Sequence, residues 1–154
     1  MKIGVFGGSF NPPHKMHLNI GLELVNKQYV DKVIYVPTGS KYKYKNNLLP
    51  DKNRLEMLEI LTKTHEYLDV NDYELKDEVV YTCETLAYFK ELYPNDDIYF
   101  VCGADNLSYI DKWKNGEDIS LCSISATTIL CLYSLNFSNS SSISSPFLFI
   151  AIIL

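Results

Sequence analysis

The sequence predicts an α/β fold in which a doubly wound parallel β-sheet carries helices on both faces. Short apolar runs of strand length alternate with longer segments in which apolar residues recur at helical spacing, and this order repeats along the chain. Clusters of Gly, Pro, Ser and Asn separate these segments and mark the loops. A chain of 154 residues is long enough to bury a sizeable core, so we expect one folded domain.

The first three segments form a βαβ unit. Residues 3–6 are a buried apolar run, which the Gly-Gly-Ser and Asn-Pro-Pro clusters end in a loop. A helix is predicted from about 17 to 27, because Leu18, Leu22 and Val25 recur at helical spacing. Residues 32–36 are a second apolar run, which predicts a strand parallel to the first.

The next predicted helix begins at residues 50–51, where Asp51 can cap it. Its Arg54 and Glu56 are expected to point outward or to take part in a pair. Four of its apolar residues are expected to face the core, namely Leu55, Leu58, Ile60 and Leu61.

Two more strands and one helix complete the predicted sheet. Residues 68–70 predict a short third strand, and the apolar run 98–101 predicts a fourth strand over 97–101. Between them a helix is predicted to run to about residue 93, with Thr82 as its N-cap and Thr85 in its first turn.

The loop after the first strand carries the strongest functional signal. His14 and His17 are three residues apart at the start of a helix, where free backbone N–H groups and the helix dipole attract anions. Ligands of parallel sheets bind beyond the carboxyl ends of the strands, which is where this loop falls. The glycine spacing matches neither a dinucleotide fingerprint nor a P-loop. We predict a phosphate-binding active site here; the alternative is a buried turn whose histidines cap and pack.

Three other segments offer candidate substrate contacts. Residues 41–45 alternate Lys and Tyr, which suits either a phosphate or ring contact or a solvated loop or edge strand. Asp105 follows the fourth strand, where a carboxylate can bind a ribose hydroxyl or cap a helix. Trp113 is either a lid over the edge of the core or a stacking surface for a ring.

Composition excludes some classes of protein. The net charge of -5 argues against a broad basic surface for nucleic acid. The pattern of cysteines implies a cytoplasmic protein, and the start of the sequence shows no sign of a secretory signal, which would be a basic and then apolar leader. The cysteines show no Cys-x-x-Cys spacing, which favours reduced thiols over a zinc site. They are Cys83, Cys102, Cys122 and Cys131.

The composition changes after Asp118, the last charged residue of the chain. We expect a domain over residues 1–119 and an uncharged tail rich in Ser, Ile and Leu over 120–154 that is aberrant or disordered. Three interpretations of this tail stay open: an out-of-frame or otherwise aberrant end, a shortened but genuine C-terminus, and a membrane anchor. The anchor is disfavoured by the Ser and Thr content of 119–137 and by the absence of a flanking basic cluster, so no membrane contact is expected.

One motif resembles that of a known superfamily. The pattern Gly-x-Phe-x-Pro-x-His-x-x-His is similar to the signature of nucleotidyltransferases that join a mononucleotide to ATP or CTP. It is filled here by Gly8, Phe10, Pro12, His14 and His17. Over about residues 1–119 the chain resembles the bacterial nicotinate-nucleotide adenylyltransferases, whose further elements follow in order. These elements are Val36-Pro37, Arg54-Leu55-Glu56-Met57-Leu58, Tyr81-Thr82-Cys83-Glu84-Thr85-Leu86, Gly103-Ala104-Asp105-Asn106-Leu107 and Trp113-Lys114.

The resemblance implies a Rossmann-like sheet of the nucleotidyltransferase type whose C-terminal part is incomplete. It implies adenylyl transfer from ATP to nicotinate mononucleotide, which gives the deamido-NAD dinucleotide and pyrophosphate in NAD biosynthesis. Mg²⁺ is expected on the ATP phosphates, with no metal held by the protein alone, and a homo-oligomer is left open. The alternatives are a non-catalytic nucleotide-binding remnant and an enzyme for another phosphorylated acceptor such as phosphopantetheine. Phosphopantetheine enzymes usually carry Thr at the position of His14, which favours the nicotinate branch.

The same resemblance implies residue roles. His14 and His17 are the expected catalytic residues, which hold the ATP phosphates. The remaining expected ATP contacts are Gly7, Gly8, Ser9, Phe10, Gly103 and Asp105. The expected contacts to the mononucleotide are Lys43, Lys45, Thr82, Thr85 and Trp113. Which lysine of the 41–45 loop meets the substrate phosphate is left open.

Two positions depart from the resemblance. Met16 stands where these proteins usually have Gly, at the start of the first helix. Residues 124–130 only approximate an Ile-Ser-Ser-Thr-x-Ile-Arg motif that opens a helix, and Leu130 stands at the position of the arginine that grips ATP phosphates.

Overall fold

A computed structural model describes residues 1–41, 47–103 and 112–114 and the backbone of residues 127–132. In these ranges the strands are β1 (Lys2–Gly8), β2 (Lys32–Pro37), β3 (Leu68–Val70), β4 (Asp97–Gly103) and β5 (Thr127–Leu132). The helices are α1 (Lys15–Asn26), α2 (Asp51–Thr62) and α3 (Thr82–Leu92). The strands form one parallel sheet in the order β3-β2-β1-β4-β5. The predicted α/β class is confirmed.

The order of strands reverses at the centre of the sheet. The chain moves from β1 to β2 and β3 on one side, then returns to place β4 against the other side of β1. Val5 of β1 is in register with Ile34 of β2 and with Phe100 of β4. The carboxyl ends of β1 and β4 therefore lie together at the point where a parallel sheet opens a crevice for ligands.

Apolar side chains pack on both faces of the sheet, because successive residues of a strand point to opposite sides. One cluster packs the sheet against α3, and it consists of Ile3, Val5, Ile34, Val36, Leu86, Phe89, Ile98, Phe100 and Cys102. The other packs it against α1 and α2, and it consists of Phe6, Phe10, Leu24, Val30, Val33, Tyr35, Leu58, Leu68 and Val101. The prediction of helices on both faces is confirmed.

Helix α2 turns most of the predicted face to the core: Leu58 is buried, and Leu55 and Leu61 are half-buried. Ile60 is 74% exposed, so its predicted place in the core is wrong. The buried residues are Arg54, Leu58 and Thr62, which recur every four positions and define the inner stripe. Asp51 is the first helical residue and Pro50 occupies the N-cap, so the predicted cap is wrong as well. The same holds for α3, where Tyr81 is the N-cap in place of Thr82.

Strand β5 lies within the segment 120–154. Its backbone pairs in parallel with β4, from Ile98 opposite Thr127 to Gly103 opposite Leu132. The approximate motif at 124–130 thus ends in a strand. The boundary at residue 119 stays a prediction. Among the described residues, no helix combines the length and apolar character needed to cross a membrane.

Candidate active site

The loop between β1 and α1 brings the two predicted histidines into contact. His14 occupies the N-cap of α1 in an extended conformation. Its backbone N–H donates to Nδ1 of His17 at 3.1 Å, and the two imidazole rings are stacked with centroids 3.7 Å apart. The pair therefore lies at the N-terminal end of α1, where the helix dipole favours an anion.

His17 is fixed from both its ring and its backbone. The ring meets that of Phe10 edge-on, with centroids 5.0 Å apart, and Phe10 is buried. The carbonyl of His17 accepts a hydrogen bond of 2.9 Å from the hydroxyl of Tyr35, a buried residue of β2. The first turn of α1 is thus attached to the sheet, and the position of the imidazole follows from the core.

The surroundings of His17 set its protonation. Burial, and then the nearby charge of His14, lower the pKa of His17 from 6.5 to about 4. At neutral pH the ring is uncharged. Because Nδ1 accepts the His14 N–H, the proton of the neutral ring belongs on Nε2. His17 is therefore a neutral hydrogen-bond donor through Nε2.

Gly7 and Gly8 differ in how much space a side chain would have at each position. A Cβ on Gly8 would lie 3.1 Å from Cζ of Phe10, so a side chain at Gly8 would force the Phe10 ring to shift by a few tenths of an ångström. A Cβ on Gly7 would meet Cε2 of Phe100 at an ordinary 3.4 Å. Packing alone therefore tolerates a side chain at Gly7. A glycine also lets a ligand approach the backbone more closely than a residue with a Cβ would.

Arg54 is a central residue of this region that sequence reasoning did not assign to the site. It forms the predicted pair, with Asp51 at 2.6 Å, but it does not point outward, since its side chain is 0% exposed. The guanidinium also donates to three backbone carbonyls, those of Leu49 at 3.0 Å, Ser9 at 2.6 Å and Thr38 at 2.7 Å. The available signal was its place four residues before Leu58 on one helical stripe.

Glu74 is a second residue that sequence reasoning missed. It lies in the connection between β3 and α3, is 8% exposed, and accepts a hydrogen bond of 2.7 Å from the Thr85 hydroxyl. Burial raises the pKa of Glu74 to about 7, although hydrogen bonds from Thr85 and Thr38 oppose the rise. A Cβ on Gly39 would collide with the carbonyl of Glu74. Glu74 thus joins the start of α3 to the end of β2.

Three of the residues predicted to contact the mononucleotide lie in the described ranges, namely Thr82, Thr85 and Trp113. Thr82 opens α3 and is half-buried, whereas Thr85 is buried with its hydroxyl directed to Glu74. Trp113 packs edge-on against Phe100, with centroids 6.2 Å apart, which places it at the edge of the core. Its neighbour Lys114 forms an ion pair of 2.9 Å with Glu84 of α3.

Several predicted residues cannot be placed. Lys43, Lys45 and Asp105 lie outside the described residues, whereas Gly103 ends β4 at the carboxyl edge of the sheet. Met16 is 53% exposed in the first turn of α1. In the part of the chain that the structure describes, no group of three or more His, Cys, Asp or Glu side chains is arranged to hold a metal ion.

Comparison with family models shows the group of proteins to which the chain belongs. Residues 5–142 match the model of the cytidylyltransferase-like family. The chain belongs to the cytidylyltransferase-like family. The match extends beyond residue 119, so it includes β5, and it agrees with the resemblance inferred from the histidine motif.

Individual relatives of this cytidylyltransferase-like chain carry names that agree with the resemblance predicted from the sequence. A Clostridium novyi protein named probable nicotinate-nucleotide adenylyltransferase is 39% identical over 124 residues, which are 79% of this chain and 62% of the relative. A Clostridium tetani protein of the same name is 38% identical over 116 residues, or 74% of this chain and 58% of that one. These relatives confirm the predicted resemblance. The chain spans about three fifths of the length of the curated relatives it matches.

A solved structure shows the same fold. The nicotinic acid mononucleotide adenylyltransferase of Plasmodium falciparum, solved with NaAD, superposes with a TM-score of 0.70 at 21% identity. The superposition covers 88% of this chain and 77% of that one. At this identity the likeness concerns the arrangement of the sheet and helices.

Proposed function

We propose that the protein transfers the adenylyl group of ATP to nicotinate mononucleotide. The observation that carries this proposal is the stacked pair of His14 and His17 at the N-terminus of α1, in the loop that follows β1. This arrangement suits a polyphosphate. The names of the Clostridium relatives support nicotinate mononucleotide as the acceptor.

The reaction needs no nucleophile from the protein. A phosphate oxygen of the mononucleotide attacks the α-phosphorus of ATP in line and forms the new P–O bond. The bond from the α-phosphorus to the bridging oxygen breaks, and its electron pair leaves with pyrophosphate. The protein then contributes positioning and stabilisation of charge on the phosphoryl oxygens.

His17 suits the second of these tasks. Its neutral ring offers Nε2–H to a phosphate oxygen, and because the Nδ1 position is occupied by the His14 N–H, the donor has a fixed direction. Negative charge that develops on the triphosphate in the transition state strengthens the hydrogen bond from this neutral donor. We propose that Mg²⁺ enters as a partner of ATP, where it neutralises part of the triphosphate charge.

The acceptor side is proposed to lie at the start of α3. Two observations support this: Thr82 is the first residue of α3, and the ring of Trp113 packs edge-on against Phe100, whose ring a Cβ on Gly7 would contact. Free thiols at Cys83 and Cys102 fit a reducing compartment, and we propose that the enzyme works in the cytoplasm.

Release of pyrophosphate tests the proposal. The protein would be incubated with ATP, Mg²⁺ and one of three acceptors: nicotinate mononucleotide, nicotinamide mononucleotide or phosphopantetheine. We expect the largest kcat/KM with nicotinate mononucleotide. A larger kcat/KM with phosphopantetheine would overturn the proposed acceptor while leaving adenylyl transfer in place.

A second candidate function is a nucleotide-binding protein without turnover. The observation that favours it is β5, because Leu130 stands at the position of a phosphate-binding arginine and lies in a strand paired with Val101. Tight binding of ATP without pyrophosphate release from any of the three acceptors would support this second function over the first.

A further inference from the structure

We propose that Arg54 is a positioning residue that holds the phosphate loop, residues 8–14, in its ligand-binding conformation. This inference rests on the proposed function, since it assigns to that loop the triphosphate of ATP. Arg54 does not line the site. It acts through the carbonyl of Ser9, which belongs to the loop and accepts its Nη1–H at 2.6 Å.

Arg54 joins four partners from separate parts of the chain. Nη2 donates to the carbonyl of Thr38 at 2.7 Å and to Oδ1 of Asp51 at 2.6 Å, and Nε donates to the carbonyl of Leu49 at 3.0 Å. Thr38 and Leu49 lie on the two sides of the β2–α2 connection. One guanidinium therefore connects the phosphate loop to both described ends of that connection.

Other hydrogen bonds make the same connection. The side chain of Asn11 accepts from the N–H of Leu49 at 2.7 Å and donates to the carbonyl of Asn47 at 3.1 Å. The N–H of Thr38 donates to the carbonyl of Gly8 at 2.9 Å. The phosphate loop and the described part of the β2–α2 connection therefore form one hydrogen-bonded unit with Arg54 inside it.

The loop conformation needs such support. Phe10 has a φ of 45°, in the left-handed region that side chains other than Gly rarely adopt. A residue in this region costs on the order of 1 kcal/mol or more and persists only where the surroundings enforce it. The Arg54 bond falls on Ser9, immediately before this residue, and burial of the Phe10 ring holds the other side.

A purely stabilising role explains Arg54 less well. A buried ion pair gains little over apolar side chains of similar volume, because removing both charges from water offsets their attraction. What an arginine adds is a rigid, planar set of N–H donors whose directions fix several acceptors at once. Lysine at this position would keep the charge and lose that set of directions.

The kinetic consequence is a specific one. Without the hydrogen bond from Arg54, the phosphates of ATP must order the loop when they bind. The free energy of this ordering raises the ground-state complex and the transition state equally. Such a loss of uniform binding raises KM and leaves kcat nearly unchanged. A residue needed only for folding would lower the amount of active enzyme, which lowers apparent kcat and leaves KM unchanged.

The experiment compares Arg54→Lys with Lys52→Met. Lys52 lies on the same helix, is exposed, and pairs with Glu56 at 3.8 Å. Hydrogen exchange of the ligand-free proteins is expected to quicken in residues 8–14, 38–41 and 47–49 of Arg54→Lys alone. Its KM for ATP is expected to rise about tenfold with kcat within about threefold of the original. Unchanged exchange in residues 8–14, or a loss of kcat at constant KM, would overturn the proposal.

Two further measurements cover the case in which Arg54→Lys does not fold and the case in which the unmodified protein has no activity. If Arg54→Lys does not fold, exchange in the unmodified protein decides: ATP must protect residues 38–41 and 47–49 along with 8–14, and protection of 8–14 alone overturns the proposal. If the unmodified protein releases no pyrophosphate, the proposed function fails. The ligand-free exchange of Arg54→Lys still tests the positioning role, because it does not depend on turnover.

Discussion

The backbone N–H of His14 donates to Nδ1 of His17, and the rings of the two residues are stacked 3.7 Å apart. This contact fixes the tautomer of His17 by leaving Nε2 to carry the proton. Burial keeps the ring neutral, with its pKa lowered to about 4. The geometry of the loop thus produces a directed, uncharged donor at the N-terminus of a helix, which is the basis of the first prediction.

Replacing His17 by Gln or Ala is expected to lower kcat by about 10²-fold, the usual effect of removing one donor that stabilises transition-state charge. The measurement is the steady-state rate of pyrophosphate release. Asn19→Ala, a change at an exposed residue two positions later on α1, is the matched control and should keep the original rate. A folded His17→Ala protein with the original kcat at saturating substrate would remove His17 from the mechanism.

The lowered pKa of His17 also predicts a pH dependence of stability. The unfolded chain binds a proton at this residue near pH 6.5, whereas the folded protein binds it near pH 4. The contribution of His17 is therefore complete above pH 6.5 and is lost as the pH falls towards 4. Urea unfolding of the original protein and of His17→Gln at several pH values checks this. The difference in unfolding free energy should shrink as the pH falls from 6.5 to 4, and a constant difference would contradict the pKa.

The raised pKa of Glu74 predicts that stability depends on pH in the opposite direction. Its pKa is about 7 in the folded protein and 4.5 when unfolded, so the folded protein binds the extra proton between these values. Stability from this group is present below pH 4.5 and is lost as the pH rises through 7, by on the order of 3 kcal/mol. Glu74→Gln, which keeps an acceptor for the Thr85 hydroxyl, should abolish this fall. An equal loss of stability in Glu74→Gln between pH 5 and 8 would assign the effect to another group.

Replacing Gly7 by Ala distinguishes an effect on ATP binding from an effect on packing. A Cβ at Gly7 makes only an ordinary contact with Phe100, so Gly7→Ala should fold with a melting temperature close to the original. It should nevertheless raise KM for ATP by about tenfold, the effect of roughly 1.4 kcal/mol of lost binding. Gly8→Ala is expected to be the less stable of the two, because its Cβ presses on the Phe10 ring. Original ATP affinity in Gly7→Ala would contradict close approach of the nucleotide at this position.

The sequence sufficed for the parts of the molecule whose determinants are contiguous. The apolar runs predicted the first four strands, and the spacing of His14 and His17 after a glycine loop placed both residues at a helix start. In such cases the residues that cause the structure are neighbours in the chain. The strand order then brings them to the carboxyl edge without further information.

The sequence was insufficient where partners are distant or are backbone groups. Arg54 binds the carbonyl of Ser9 across 45 residues, and a carbonyl acceptor leaves no trace in the sequence. Glu74 accepts a hydrogen bond from Thr85, 11 residues away, only when the connection after β3 brings it to the start of α3. The apolar side chain of Ile60 predicts a position in the core, yet Ile60 is exposed and the buried residues of α2 are Arg54, Leu58 and Thr62.

The fate of the α-phosphorus of ATP tests the central claim most directly. The protein would be incubated with Mg²⁺, nicotinate mononucleotide and ATP that carries a label on its α-phosphate group. The products would be separated by chromatography and identified by mass spectrometry. We predict that the label appears in the deamido-NAD dinucleotide in step with pyrophosphate release. Label that stays in ATP, or that appears in free AMP with no dinucleotide formed, would contradict adenylyl transfer by this chain.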